Sequence, residues 1–344
     1  MKKILIVIFT FLLFMLSACD TNDNGNQNNN KPEALKINDY FPNTENTKYD
    51  YEGEGNEFAY YTVYTDYSKD NRIQTRTNNG GTEVVKVLEI KDGQLMEIFS
   101  RPETYFRENF LDKEYEGGNI ILKEPLEKGN TWTLKDGSKR TITNVDMEIT
   151  TPMGTYKTLE VTTEASNYKN VDYYAKDIGL IKTISTGEGY EVSSNLRTIE
   201  KDVSLIQNVN VYFPSLEEDI YYYITKEISF KTNDDAKDVI EKMVKDNEDQ
   251  ATVISTNTKL NNLYLNDEEN MVYVDFSKEF VSEMNAGSGF EAMILQSITN
   301  TLGNYYGVDK VYITLDGKPY ESGHILMKEK EPFIVNLEKT KPIS

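Results

Sequence analysis

A single cysteine, Cys19, stands in a chain of 344 residues. No intramolecular disulfide and no cluster of thiolates is available, so the fold must be held by burial and hydrogen bonding alone. Material for burial is present, because 24 tyrosines and 14 phenylalanines support an otherwise modest hydrophobic content of 38%. Aromatics on this scale make a packed core feasible and argue against wholesale disorder. The length suits about two ordinary domains. Formal net charge is −20, spread evenly: residues 20–200 carry 21 basic and 32 acidic groups, and residues 201–344 carry 14 and 25. Phosphate backbones would be repelled all along the chain, so nucleic acid is not an expected partner.

Lys2 and Lys3 precede Ile4–Leu16, which is apolar but for Thr10, and Leu16-Ser17-Ala18-Cys19 follows. The run is short for a bilayer span and has the layout of a secretory signal. It resembles a bacterial lipoprotein signal in which Leu-Ser-Ala-Cys is the lipobox. The resemblance implies removal of residues 1–18, a diacylglycerol on the Cys19 thiol, and anchorage in the lipid bilayer at the extracytoplasmic face of the cell membrane. Two or more acyl chains on one residue give stable attachment. Residues 19–38 are polar and Asn-rich, which reads as a flexible tether reaching about 20–25 Å. Richness in Asn, Lys, Ile and Tyr fits an AT-rich, Gram-positive genome.

Residues 39–203 read as an all-β antiparallel domain. Phe58–Asp66 is aromatic and β-branched. Thr82–Ile90 and Gln94–Phe99 flank Asp92-Gly93, and Thr131–Leu134 and Arg140–Val145 flank Asp136-Gly137, both hairpin signals. Asp146–Thr151 with Tyr156–Thr163, and Val171–Tyr174 with Leu180–Ser185, repeat the pattern. Such short strands suggest a curved or sandwiched sheet. This half loosely resembles β-rich segments of other bacterial lipoproteins.

From residue 207 to 334 the pattern changes to a small α+β sandwich, leaving residues 335–344 as a C-terminal tail. Strands are expected at Val209–Phe213, Ile220–Phe230, Leu260–Leu265, Met271–Phe276 and Val308–Leu315. Asp234–Lys245 and Phe290–Tyr305 have the 3.6-residue apolar period of helices. Two helices on one mixed sheet are predicted, with Gly307 ending the second helix at positive φ.

This half resembles the GerM-type sporulation and spore-germination domain. The matching residues are Val211-Tyr212-Phe213, Thr258-Lys259-Leu260, Val274-Asp275-Phe276-Ser277 with Phe280, Ile298–Leu302 with Tyr305, and Gly307-Val308-Asp309-Lys310-Val311 with Gly317. Two loops depart from the family pattern, at Asn247–Gln250 and Thr256-Asn257. The resemblance implies a non-enzymatic module, similar to ring-building motifs that pack side by side in envelope complexes. The partners it implies are other envelope or sporulation proteins and, weakly, further copies of the chain.

Chemistry is sparse. His324, the only histidine, falls in a Gly-containing turn and reads as an exposed loop residue. Asp267-Glu268-Glu269 reads as a solvated charge run in a turn, with adventitious calcium the alternative. Gly287-Ser288-Gly289 lacks the Lys of a phosphate loop, and Ser277 lacks the flanking glycines of a nucleophile elbow and reads as a helix cap. No cofactor, metal or catalytic residue is expected. The interaction candidates are Asn300, Asn304, Tyr306 and Lys310, on the outward face of the last helix and strand, and Tyr222. A second reading makes the β-rich half a carrier or wall-binding module, with a pocket lined by Tyr60, Tyr61, Tyr64, Tyr105 or Trp132. If the lipobox reading holds, Cys19→Ala sends the protein to the medium or leaves its signal uncut on a denaturing gel; a processed mutant retained on the membrane would contradict it.

Overall fold

The computed structural model describes residues 34–246 and 253–343, so Cys19, the signal segment and most of the tether lie outside the described residues. The tether ends before residue 38. Ile37 and Tyr40, in one helical turn α1 (Ile37–Tyr40), are buried in the first core.

Twelve strands make one antiparallel sheet. β1 (Thr47–Glu54), β2 (Tyr61–Lys69), β3 (Arg72–Asn78), β4 (Glu83–Lys91), β5 (Gln94–Arg101) and β6 (Asn119–Lys123) run from its middle to one edge. β7 (Thr131–Thr133) starts at the opposite edge. β8 (Lys139–Thr151), β9 (Gly154–Glu164), β10 (Tyr168–Ala175), β11 (Gly179–Gly187) and β12 (Tyr190–Lys201) then return to the middle, where β12 pairs with β1. Only residues 124–130 join the two edges, a reach of under about 30 Å. The sheet must therefore curl until its edges meet. Trp132 Nε1 donates to the Ile120 carbonyl and Arg140 Nε to the Ile121 carbonyl, each at 2.9 Å, and these bonds close the curl. Inside it, Leu88, Leu95 and Leu122 from one end of the sheet meet Trp132, Ile142, Leu159 and Val161 from the other. Bulges at Asp50/Tyr51, Val87/Leu88 and Tyr173/Tyr174 add the bending. The Asp92-Gly93 turn forms as expected, both residues at positive φ, the signature of a type I′ hairpin. Phe58 sits outside β2, in a 3-10 turn where its own amide donates to the capping Asn56 side chain.

The second half follows the predicted order: β13 (Leu205–Ser215), β14 (Ile220–Phe230), α2 (Ala236–Lys245), β15 (Leu260–Asn266), β16 (Met271–Phe276), α3 (Glu279–Ser282), α4 (Ser288–Tyr306) and β17 (Lys310–Leu315). Short strands β18 (Lys318–Pro319), β19 (Phe333–Ile334) and β20 (Thr340–Pro342) complete it. The architecture is α+β. Instead of one mixed sheet, however, two form: β13-β14-β20, and β15-β16-β17-β18 with β19 also on β17. The cause is α4. Its apolar residues, including Leu295, Ile298, Leu302 and Tyr306, are not confined to one stripe, so it needs cover on several sides. It packs on β13 of one sheet and on β16, β17 and β19 of the other. It ends as predicted: Gly307 is left-handed at φ 69°, with Val308 N bonded to the Gly303 carbonyl at 2.9 Å and Gly307 N to the Asn304 carbonyl at 3.3 Å, a Schellman closure.

The final residues are woven in and are not a tail. β19 pairs with β17 and β20 adds to β14 in parallel. Between them Asn300 clasps Asn336 twice, donating to its carbonyl at 2.8 Å and accepting from its amide at 2.9 Å. The two halves also share one core. Tyr67, Val87, Phe106 and Phe110 of the first pack with Val209, Phe230, Ile298 and Tyr306 of the second. Gly303 is where the strap touches the helix: a Cβ there would overlap Val335 Cγ2 and lie 2.8 Å from the Val308 carbonyl. Gly303→Ala should cost about 1–3 kcal/mol and loosen the strap, seen as faster tryptic cleavage at Lys339 in the native state; unchanged cleavage and Tm would contradict this packing.

Candidate functional site

The predicted interaction residues divide. Asn304, Lys310 and Tyr222 keep an outward position: Asn304 accepts from Asn210 at 3.3 Å, Lys310 is exposed on β17, and half-buried Tyr222 donates to Glu218 at 2.8 Å. Asn300 and Tyr306 do not. They are 0% and 3% exposed, because α4 is covered on several sides, and the helical period alone had placed them outward. Asn300 holds the strap. Tyr306 packs on Phe106 at 5.1 Å between ring centres, and its buried hydroxyl has no hydrogen-bond partner among the described residues. The five aromatics proposed for a carrier pocket do not converge: Trp132 and Tyr64 are core, Tyr61 stacks on Tyr51 at 4.5 Å, and Tyr60 and Tyr105 are exposed.

The densest polar chemistry lies at the seam between the halves. Asp66, on a bulge of β2, is completely buried between two buried arginines. Arg107 Nη1 donates to Oδ1 at 2.9 Å, and Arg76 Nη2 approaches Oδ2 at 3.0 Å. Arg76 also binds Glu83 at 2.7 Å and the carbonyls of Thr104 and Phe106. Arg107 reaches the Lys231 carbonyl at 2.9 Å, while its own amide donates to Tyr305 Oη at 2.9 Å. Two carboxylates thus balance two guanidinium groups, and carbonyls take up further N–H groups, the conditions under which a buried ion network is tolerated. The network ties β2, β3, the 102–111 loop and the β14–α2 junction into one piece.

Around it the acidic run behaves differently from its sequence reading. Asp267 bridges back across the seam to Arg101 at 2.5 Å and Lys113 at 3.2 Å. Burial raises its pKa, but the hydrogen bond and charge of Arg101 and then Lys113 outweigh it and leave the carboxyl below its ordinary value. Glu269 pairs with Lys330 at 2.8 Å. Ser277 does not cap α3; its Oγ accepts from the Lys259 amide at 3.0 Å. His324 is not a bare loop histidine either. Its Nδ1 lies 2.7 Å from Glu291, a buried carboxylate in the first turn of α4 that also accepts from Tyr320 at 2.7 Å. Burial pushes Glu291 up, but hydrogen bonds from Ser322, Tyr320 and His324 hold it below the usual glutamate value. A buried Glu about four helical turns before a Tyr-rich helix end gives no sequence signal for a partner 33 residues away. Among the described residues no three of His, Cys, Asp and Glu gather as a metal site, and no helix is long and apolar enough to cross a membrane.

Residues 210–321 match the Germane family, described as sporulation and spore germination. Residues 210–321 form a Germane domain, and β13 through β18 supply its elements. Among solved structures the chain is similar to the tandem GerMN domains of the sporulation protein GerM from Bacillus subtilis, at 19% identity and TM-score 0.25, over 34% of this chain and 41% of that one. The first GerMN domain of the same protein gives 20% identity and TM-score 0.24, over 34% of this chain and 86% of that one. A protein described as exported, with a YmcC-like fold, from Bacteroides fragilis gives 12% identity and TM-score 0.30, over 47% of this chain and 99% of that one. No curated protein matches the chain.

Two measurements test the seam. Asp66→Asn leaves two buried guanidinium groups short of one countercharge and should lower stability by about 3–5 kcal/mol in urea unfolding; a loss under about 1 kcal/mol would show that the network is dispensable. Burial pushes Glu108, beside this network, up to about 7 from 4.5. The folded chain therefore favours its protonated form, and that stabilisation is lost as pH rises through about 7. Glu108→Gln should match wild type below the ordinary glutamate pKa and exceed it at pH 8; equal pH profiles would contradict the shift.

Proposed function

We propose that this protein is a lipid-anchored extracytoplasmic adaptor whose Germane domain docks to other proteins of the cell envelope, in sporulation or spore germination. The observation that carries the reading is the Germane match over residues 210–321. The lipobox at Cys19 supports a membrane location, and the tether supplies reach. Confinement to a membrane plane raises effective concentration, so a weak interface is occupied without high intrinsic affinity. The reading requires no catalytic group. The seam network is balanced within itself and shared with backbone carbonyls, which suits a structural joint. The barrel half then serves as a mount, since its interior is packed with Leu95, Trp132 and Ile142.

Crosslinking in intact cells tests this reading. Wild-type protein should recover a defined envelope partner, and Cys19→Ala should recover at least several-fold less. Failure of the wild type to recover any specific partner, or cleavage of peptidoglycan by the purified protein that is lost on substitution of one acidic pair, would contradict it.

A further inference from the structure

β14 is paired on both sides for only part of its length. β13 covers one edge from Phe230 to Ile220. On the other edge β20 covers Tyr221–Tyr223 alone, in parallel. There the Tyr221 amide donates to the Lys339 carbonyl at 2.8 Å, and the Ile343 amide to the Tyr223 carbonyl at 2.9 Å. Alternate residues of a strand turn their N–H and C=O to the same edge. Thr225, Glu227 and Ser229 therefore present theirs on the side that β20 leaves. Among the described residues no strand or loop backbone pairs with these three, and all three are exposed. Beside this edge runs a groove of about 560 Å³ whose other wall is α2. Ile228, Val239 and Met243 line its apolar part. Glu227, Asp234, Asp235, Asp238 and Asp246 outnumber Lys226, Lys231 and Lys242 in the rest, which leaves it net acidic.

We propose that this edge is a docking site for an extended segment of a partner protein, with alternating apolar and basic residues, that adds as a parallel strand. The inference rests on the adaptor reading and names its surface. Two observations choose the occupant. Parallel strand addition already exists on the same edge, where β20 makes the bonds that a newcomer would continue. A strand leaves alternate side chains on opposite faces, so one set would meet Ile228, Val239 and Met243 and the other the acidic lining. A second copy fits less well. Edge-to-edge pairing about a two-fold axis is antiparallel, and it would bring together two chains each of net charge −20.

The test uses the intact chain and a fluorescent nine-residue peptide of alternating Val and Lys, with the same peptide N-methylated at alternate residues as control. The plain peptide should bind at least tenfold tighter than the methylated one and slow amide exchange at Thr225, Glu227 and Ser229. Ser229→Pro removes an outward N–H without touching the β13 ladder or the net charge, and should weaken binding at least tenfold with Tm retained. Thr225→Pro serves the same purpose if Ser229→Pro does not fold. Equal binding of the two peptides, no binding, or undiminished binding by a folded proline variant overturns the proposal. In cells, capture of an envelope partner equally by wild type and Ser229→Pro overturns the edge assignment and leaves the adaptor reading standing. Absence of capture by wild type overturns both.

Discussion

Asp66 has no exposed surface, and Arg76 and Arg107 close on it from β3 and from the 102–111 loop. A lone carboxylate in that position would be untenable. With both arginines in place, and with the carbonyls of Thr104, Phe106 and Lys231 drawn onto them, the 102–111 loop cannot adopt another path without stranding a charge. Phe106 and Phe110 are then delivered into the core of the Germane domain. The loop that looks like a long connection between β5 and β6 is the wedge that joins the halves.

A Germane domain held this way differs from one on a free linker. Its orientation on the barrel is fixed by buried ion pairs, by Tyr305 hydrogen-bonded to the Arg107 amide and to Gln207, and by Asp267 reaching back to Arg101 and Lys113. In the adaptor reading proposed above, this fixed orientation is useful, because fewer internal degrees of freedom are lost when a partner binds. The strap from Phe333 to Ile343 adds to it by stitching the second sheet to the first across α4.

Much of this was legible in the residues, and what was not has a physical cause. The hairpins at Asp92-Gly93 and Asp136-Gly137 follow from turn chemistry, and Gly307 from helix termination. The order of elements in the Germane domain followed from period and family pattern. A curved sheet was one of two expectations, but its closure edge to edge was hidden because it depends on which edges residues 124–130 connect, a matter of topology. Asn300 and Tyr306 were misplaced because one helical period says which face is most apolar and nothing about whether the other faces are covered. The buried ion network was also hidden, since Asp66, Arg76 and Arg107 sit in segments that look like ordinary strand and loop. His324 was underrated for a similar reason, its partner Glu291 lying far away in the chain.

The central claim is that the buried network and shared core make the barrel and the Germane domain one cooperative body. Urea unfolding followed by two local probes tests it: fluorescence of Trp132, the single tryptophan, placed in the barrel, and amide exchange across α4 of the Germane domain. One coincident transition is the predicted result. Two separated midpoints, with α4 still protected after Trp132 is exposed or the reverse, would contradict it.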